Sequence, residues 1–388
     1  MKNLEGYLKA TVDEINKALS NAVYMTEIKA EKYGVKFPGE CSKDLFYSYG
    51  DNLGWTTGFC TGIMWLAYER TRSEKLKDVA LLQVKSFLER IEKRIDVDHH
   101  DMGFLYSLSC IAAYQLTGNE EGKKAAILAA DNLISRFNKT GQFIQAWGEM
   151  GKAENYRLII DCMLNVPLLF KVSQITGDDK YADIAKKHIK TSLSCILKED
   201  NSTYHTYYFD NRTGEPLYGK TAQGNRDGSA WSRGQAWGIY GCALAYRYTK
   251  DIKCLENFRK IAEFFIDGLP ENLVPFWDFD FSDGSGEPRD SSAGAIAVCG
   301  LMEMASLLDN EEGKRYKDIA LKMLKALIDN CAVTDLSVSD GLLLHSTYCR
   351  GTATNERRDT GVDECSSWGD YFYMEALTRA ITDWKLYW

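Results

Sequence analysis

Hydrophobic residues along this chain recur mainly at α-helical spacing, and two kinds of helix alternate. In residues 73–93, Leu76, Val79, Ala80, Val84, Phe87, Leu88 and Ile91 share one face, opposite Lys75, Asp78, Lys85 and Glu89. That pattern predicts a surface helix with one buried stripe. Residues 103–116 and 291–308 are apolar nearly all round, which predicts helices buried on every side. Helices of the apolar kind are predicted to begin near Thr56, Met102, Asp161, Gly234, Ser292 and Trp368. Amphipathic ones are predicted to begin near Lys2, Ser73, Asn119, Asp178, Asp251 and Asn310. Only six prolines interrupt the chain, as an all-α protein requires.

The connections alternate too. Short polar turns such as LTGNEEG and YTKDIK lead from an apolar helix into an amphipathic one, whereas mostly longer loops precede the apolar helices. A helical-hairpin repeat with variable insertions produces this spacing. One insertion, residues 198–233, alternates through TYHTYYFD and turns at Asn211, Arg212, Thr213 and Gly214, which predicts a small β-hairpin. Six such helical hairpins close into an (α/α)6 barrel with the apolar helices inside, a single domain over residues 1–388. The long loops and inner-helix N-termini then share one end. Each N-terminus carries unpaired N–H groups and partial positive charge, so the mouth suits an anionic ligand unless its own loops take those donors.

Composition narrows the functional classes. A net charge of −8 argues against a nucleic-acid partner. The eleven cysteines are scattered without a C-x-x-C pair, which reads as reduced core thiols rather than a zinc site or disulfide framework. No metal and no cofactor is expected. Residues 1–20 form a charged amphipathic helix pattern without a signal core, and no apolar run reaches bilayer length. The expectation is a cytoplasmic protein with no membrane partner, a monomer or weak homodimer.

Two aspartates stand out. Asp161 interrupts the apolar run YRLIIDCMLNVPLLF, where burial of a carboxylate demands partners or a raised pKa; a raised pKa is what a general acid needs near neutral pH. Its structural alternative is a helix cap paired with Arg157. Asp101, in DVDHHDMGF, reads either as an N-cap or, with His99 and His100 beside it, as part of a titratable cluster. Residues 220–241 gather Gln223, Arg226, Trp231, Arg233 and Trp237 around a helix start. Flat aromatic faces and fork-shaped donors in that mixture suit a sugar. Trp55, Trp147 and Trp368 occupy equivalent positions, and His205 lies on the hairpin insertion, where an exposed loop histidine is the alternative.

DHHDMGF, IIDCMLNVPLL and AWSRGQAWGIYG, in this order, resemble the unsaturated glucuronyl hydrolases of glycoside hydrolase family 88. The resemblance runs from Trp55 to the SSWGDYFY segment and implies the same (α/α)6 barrel. It implies lyase-generated oligosaccharides as substrates, bearing a 4,5-unsaturated uronic acid at the non-reducing end: chondroitin, hyaluronan or heparin disaccharides. It further implies hydration of the C4=C5 enol ether, with Asp161 as general acid and base and Asp101 as second essential aspartate. Trp55, His100, Trp147, His205, Gln223, Arg233 and Trp237 match positions lining the sugar subsite. Where members acting on sulfated fragments carry a basic residue, this chain has Ala222, and its loop RGTATNERR is basic in a different pattern. Competing readings are an unsaturated rhamnogalacturonyl hydrolase acting on pectin fragments, a non-catalytic sugar- or protein-binding toroid, and a zinc-dependent toroid.

Overall fold

The computed structural model describes residues 2–355 and 357–388. An inner ring consists of α2 (Thr57–Thr71), α4 (Met102–Tyr106) continued by α5 (Ala112–Thr117), α7 (Pro167–Thr176), α9 (Ser232–Thr249), α11 (Ser291–Leu307) and α13 (Ser367–Ile381). Outside it lie α1 (Val12–Tyr33), α3 (Glu74–Glu92), α6 (Glu120–Ser135), α8 (Asp179–Cys195), α10 (Ile252–Asp267) and α12 (Glu311–Asn330). Successive inner helices pack side by side, and α13 returns to α2 to close the ring. This is the (α/α)6 barrel that the alternation of apolar and amphipathic segments requires.

Three boundaries differ from the sequence expectation. The first helix starts at Val12, ten residues beyond Lys2, because Thr11 and Glu14 form a capping box there, satisfying two backbone donors reciprocally. The second inner helix is not continuous: Ser107–Ile111 form a π-helical turn between α4 and α5. At Asp161 the chain makes a 3₁₀ turn, Ile160–Leu164, and α-helix begins only at Pro167, whose fixed φ and missing N–H suit the first helical position.

Short strands line the mouth. β1 (Phe37–Pro38) pairs with β2 (Tyr49–Gly50), and β3 (Phe137–Asn138) with β4 (Phe143–Ile144). The expected hairpin is β6 (Thr206–Phe209) and β7 (Pro216–Lys220), joined by β5 (Arg157–Ile159) into a three-stranded antiparallel sheet. A further hairpin, β8 (Ser346–Cys349) and β9 (Thr360–Glu364), precedes α13. At the opposite end Trp388 lies parallel to Phe372 at 5.9 Å and donates its indole N–H to Glu375. Among the described residues no helix is long and apolar enough to cross a membrane.

Candidate active site

Asp101 and Asp161 sit on two neighbouring inner segments that are tied together by Asn165. Its Oδ1 accepts from the Phe104 amide at 2.9 Å, and its Nδ2 donates to the Asp161 carbonyl at 3.3 Å. The contact requires Gly103: a Cβ there would lie 2.4 Å from the Asn165 Cα and 2.6 Å from its carbonyl oxygen. A missing side chain thus sets how closely the two acid-bearing segments approach.

Asp101 does not cap its helix, since its side chain accepts no bond from the first turn. One carboxylate oxygen lies 3.0 Å from His99 Nδ1, and the other 3.4 Å from His100 Nε2. The same His100 nitrogen is 3.4 Å from Asp161 Oδ1. One atom each of His100, Asp101 and Asp161 thus lie within 4.8 Å of one another. These are also the side chains positioned to meet a divalent cation.

The two acids are driven apart in proton affinity. Burial is the main influence raising the pKa of Asp161 well above the ordinary range, and the Asp101 charge adds to it; Arg233 opposes. For Asp101, burial works against ionisation, but His100, His99 and Arg136 together hold its pKa below the ordinary value. Two neighbouring carboxyls whose proton affinities are pushed in opposite directions are suited to act as an acid beside an anion. His100 is fully buried, and desolvation brings its pKa down to about 4, so it is neutral. Its ring nitrogens and one oxygen of each aspartate have no hydrogen-bond partner. Buried polar atoms left open in this way point to a ligand or water as their complement.

The two aspartates line a cavity of about 390 Å³, with Trp55, Trp147, His205, Gln223, Arg233 and Trp237 around it; the fully buried His100 lies 3.4 Å from both acids but does not line the cavity. His205 is buried rather than exposed on its loop, stacked on Trp231 at 4.1 Å. Its Nδ1 accepts from the amides of Ala222 and Gln223 at 3.1 and 3.3 Å. That fixes the neutral tautomer with Nε2–H as donor; desolvation lowers its pKa to about 3. The Gln223 side-chain amide has no protein partner among the described residues. Trp55 stacks on Trp368 at 5.1 Å and donates to the Tyr348 hydroxyl at 3.2 Å. Trp368, itself fully buried, therefore backs the platform and does not form it.

Arg233 is buried and paired. It meets Asp290 at 2.6 Å and donates to the carbonyls of Thr347 and Tyr348, both at 2.7 Å. Asp290 was not singled out in the sequence, although an acid before an apolar helix is the same signal that marks Asp101. Arg357 and Arg358 also line the cavity, and only the basic stretch RGTATNERR hinted at them. Arg226 pairs with Asp280 instead of lining the cavity. Arg157 does not pair with Asp161: it bonds the Glu154 carbonyl and lies over Trp147 at 4.5 Å.

A ring of helices with an acid–anion pair beneath aromatic and guanidinium groups defines a carbohydrate-processing hydrolase. The chain belongs to Glycosyl Hydrolase Family 88, whose family model matches residues 31–383. It is 44% identical over 393 residues to an unsaturated chondroitin disaccharide hydrolase of Streptococcus pneumoniae, covering 100% of this chain and 98% of the relative. The crystal structure of an unsaturated glucuronyl hydrolase from Streptococcus agalactiae superposes with a TM-score of 0.94 at 44% identity, covering 100% and 98% of the two chains. A mutant of that enzyme complexed with dGlcA-GalNAc6S matches with a TM-score of 0.86 at 41% identity, covering 99% and 95%. The chain is therefore an enzyme, not a non-catalytic toroid.

Proposed function

We propose that this enzyme releases the 4,5-unsaturated uronic acid from the non-reducing end of lyase-generated glycosaminoglycan-type oligosaccharides by hydrating the C4=C5 enol ether. The observation that carries the chemistry is the acid–anion pair: Asp161 and Asp101 offer oxygens within 4.8 Å at the base of one cavity, with opposite pKa shifts. Protonated Asp161 donates to C4 of the double bond. Positive charge then develops at C5 and the ring oxygen, where the Asp101 carboxylate opposes it at short range. Water adds to C5 as the Asp161 carboxylate takes its proton back. The resulting hemiketal opens and expels the remaining saccharide.

The other groups bind and orient. The Nε2–H of His205, the Gln223 amide and the guanidinium of Arg233 are the donors suited to the uronate carboxylate and the attacking water. Trp55 and Trp147 offer ring faces to the sugar, and the buried Trp237 contributes to the cavity wall. His100 bridges the two carboxyls, its Nε2 lying 3.4 Å from an oxygen of each. The reading favours chondroitin-type fragments over pectin fragments, because the S. pneumoniae relative is named for a chondroitin disaccharide and the S. agalactiae mutant is complexed with dGlcA-GalNAc6S.

We read residues 1–388 as one catalytic domain acting in the cytoplasm as a monomer or weak homodimer. Eleven unpaired cysteines, ten of them buried, support a reducing compartment, and light scattering tests the assembly. The enzymatic test is incubation with unsaturated chondroitin, hyaluronan and heparin disaccharides and with unsaturated rhamnogalacturonan fragments. The readout is the loss of near-UV absorbance as the conjugated double bond disappears. Loss is expected with the glycosaminoglycan disaccharides, and absorbance that persists with every substrate rejects the assignment.

A further inference from the structure

We propose that a second cavity, beside the catalytic one, is an anion-binding subsite for the leaving saccharide, built around Arg157. The inference rests on the hydrolase reading above. This cavity has a volume of about 380 Å³ and shares Trp147, Ala222 and Arg357 with the catalytic cavity. Arg157, Lys220 and Arg357 bring three cations to it, and no carboxylate lines it among the described residues.

Arg157 is the decisive group. It is only 6% exposed, and buried guanidinium groups ordinarily have an acidic partner. Arg233 has Asp290, and Arg379 has Glu303 and Glu375. Arg157 has no carboxylate partner among the described residues; one nitrogen, Nη1, donates to the Glu154 carbonyl and Asn155 Oδ1. Its remaining N–H groups are left for the cavity. Burial lowers its pKa, and the nearby Arg357 lowers it further, so an anion between these cations would relieve both effects.

The surroundings hold the guanidinium in place. Strand pairing sets Arg157 opposite Tyr208, which stacks on Tyr218 at 5.1 Å. The cation lies 4.5 Å from the Trp147 ring and 5.6 Å from the Tyr208 ring. Across the cavity, Asn355 donates to the Gly224 carbonyl and Arg357 to the Ala222 carbonyl. Trp147 also faces His100, at 6.2 Å. An anion on Arg157 would therefore sit one indole outward from the reacting ring, on the part of the substrate that leaves.

Glycosaminoglycans alternate uronate and amino sugar, so the third sugar of an unsaturated tetrasaccharide carries a carboxylate. A sulfate on the second sugar offers the same charge closer in. The planar fork of Arg157 between two aromatic faces favours the carboxylated ring.

The test compares kcat/KM for the unsulfated unsaturated chondroitin disaccharide, its 6-sulfated form and the unsulfated tetrasaccharide. Wild type, Arg157→Gln and Lys220→Gln are measured. Arg157→Gln is expected to lower the tetrasaccharide-to-disaccharide ratio about tenfold, chiefly through KM, as loss of a charge-assisted contact does. Lys220→Gln is expected to lower it about threefold and to leave the unsulfated disaccharide unchanged. A loss confined to the 6-sulfated disaccharide supports the subsite and assigns the anion to sulfate. Ratios unchanged for every substrate overturn the proposal, and Lys220→Gln decides alone if Arg157→Gln does not fold. A wild type inert on all three overturns the hydrolase reading instead, so the two failures are distinct.

Discussion

Replacing Asp101 with asparagine removes a negative charge no more than 4.8 Å from the Asp161 carboxyl while nearly preserving shape. Coulomb's law at that separation gives about 3.5 kcal/mol at an effective dielectric of ~20 and about 0.9 kcal/mol at ~80. At roughly 1.4 kcal/mol per pH unit, this corresponds to about 0.6 to 2.5 pH units. The sign follows from the chemistry. A neighbouring carboxylate makes Asp161 harder to ionise, so removing it lets Asp161 lose its proton at lower pH. The acid form is the one that starts the reaction, and the basic limb of the profile marks its loss. Residual kcat/KM of Asp101→Asn, followed by the disappearance of near-UV absorbance across pH, should therefore show that limb displaced downward. The overall rate will also fall, but the position of the limb is independent of its height. A limb that stays in place, or moves to higher pH, refutes the coupling between the two acids and with it the role given to Asp161.

Asp161→Asn should lower turnover by about two to four orders of magnitude, the usual scale for a positioned proton donor, with circular dichroism confirming an intact fold. Activity should survive exhaustive treatment with EDTA; inactivation that added metal reverses would transfer the chemistry of His100, Asp101 and Asp161 to a bound ion. Asp290→Asn leaves the buried Arg233 charge uncompensated, and removing one partner of such a pair costs about 3–5 kcal/mol; denaturant unfolding measures the loss. Gly103→Ala forces its new methyl against the Asn165 backbone. It should lower both thermal stability and kcat, and full kcat would show that the spacing of the two acid segments is not critical.

How much of this was legible depended on whether a residue's environment was local in the chain. Inner-helix starts could be read because a segment apolar on all sides has nowhere to go but the middle. Asp161 could be read because a carboxylate among Ile159, Ile160, Met163 and Leu164 contradicts its neighbours. The helix-cap alternative for Asp161, with Arg157 as its partner, fails because no α-helix begins at Asp161. In the structure Arg157 belongs to a strand that ends before Asp161, and the two side chains never meet. The β8–β9 hairpin escaped notice because its polar composition resembles that of an ordinary loop. Asn165 and Gly103 carry no chemical signature at all, since their importance arises from a contact between segments sixty residues apart.

The mouth of the barrel shows where local reasoning had to yield. Outer helices α1, α6, α8, α10 and α12 are capped by the side chains of Thr11, Asn119, Asp178, Asp251 and Asn310. Among the inner helices, α2, α4, α7, α9 and α11 have no side-chain cap. Loops take over: the amides of Ser232 and Ser291 donate to the carbonyls of Trp277 and His345 at 3.1 and 2.9 Å. The first-turn donors that would have greeted an anion are thus partly consumed, and recognition of a uronate falls to side chains. A capping aspartate ordinarily contributes about 0.5–2 kcal/mol to its helix. Asp101 and Asp290 forgo that role because loop carbonyls or Asn165 satisfy the neighbouring amides. One carboxylate is thereby free to bias the proton on Asp161, and the other to hold Arg233 at the cavity wall. The long insertions before the inner helices therefore do more than cover the barrel: by supplying caps from elsewhere, they release acids at the helix starts for chemistry.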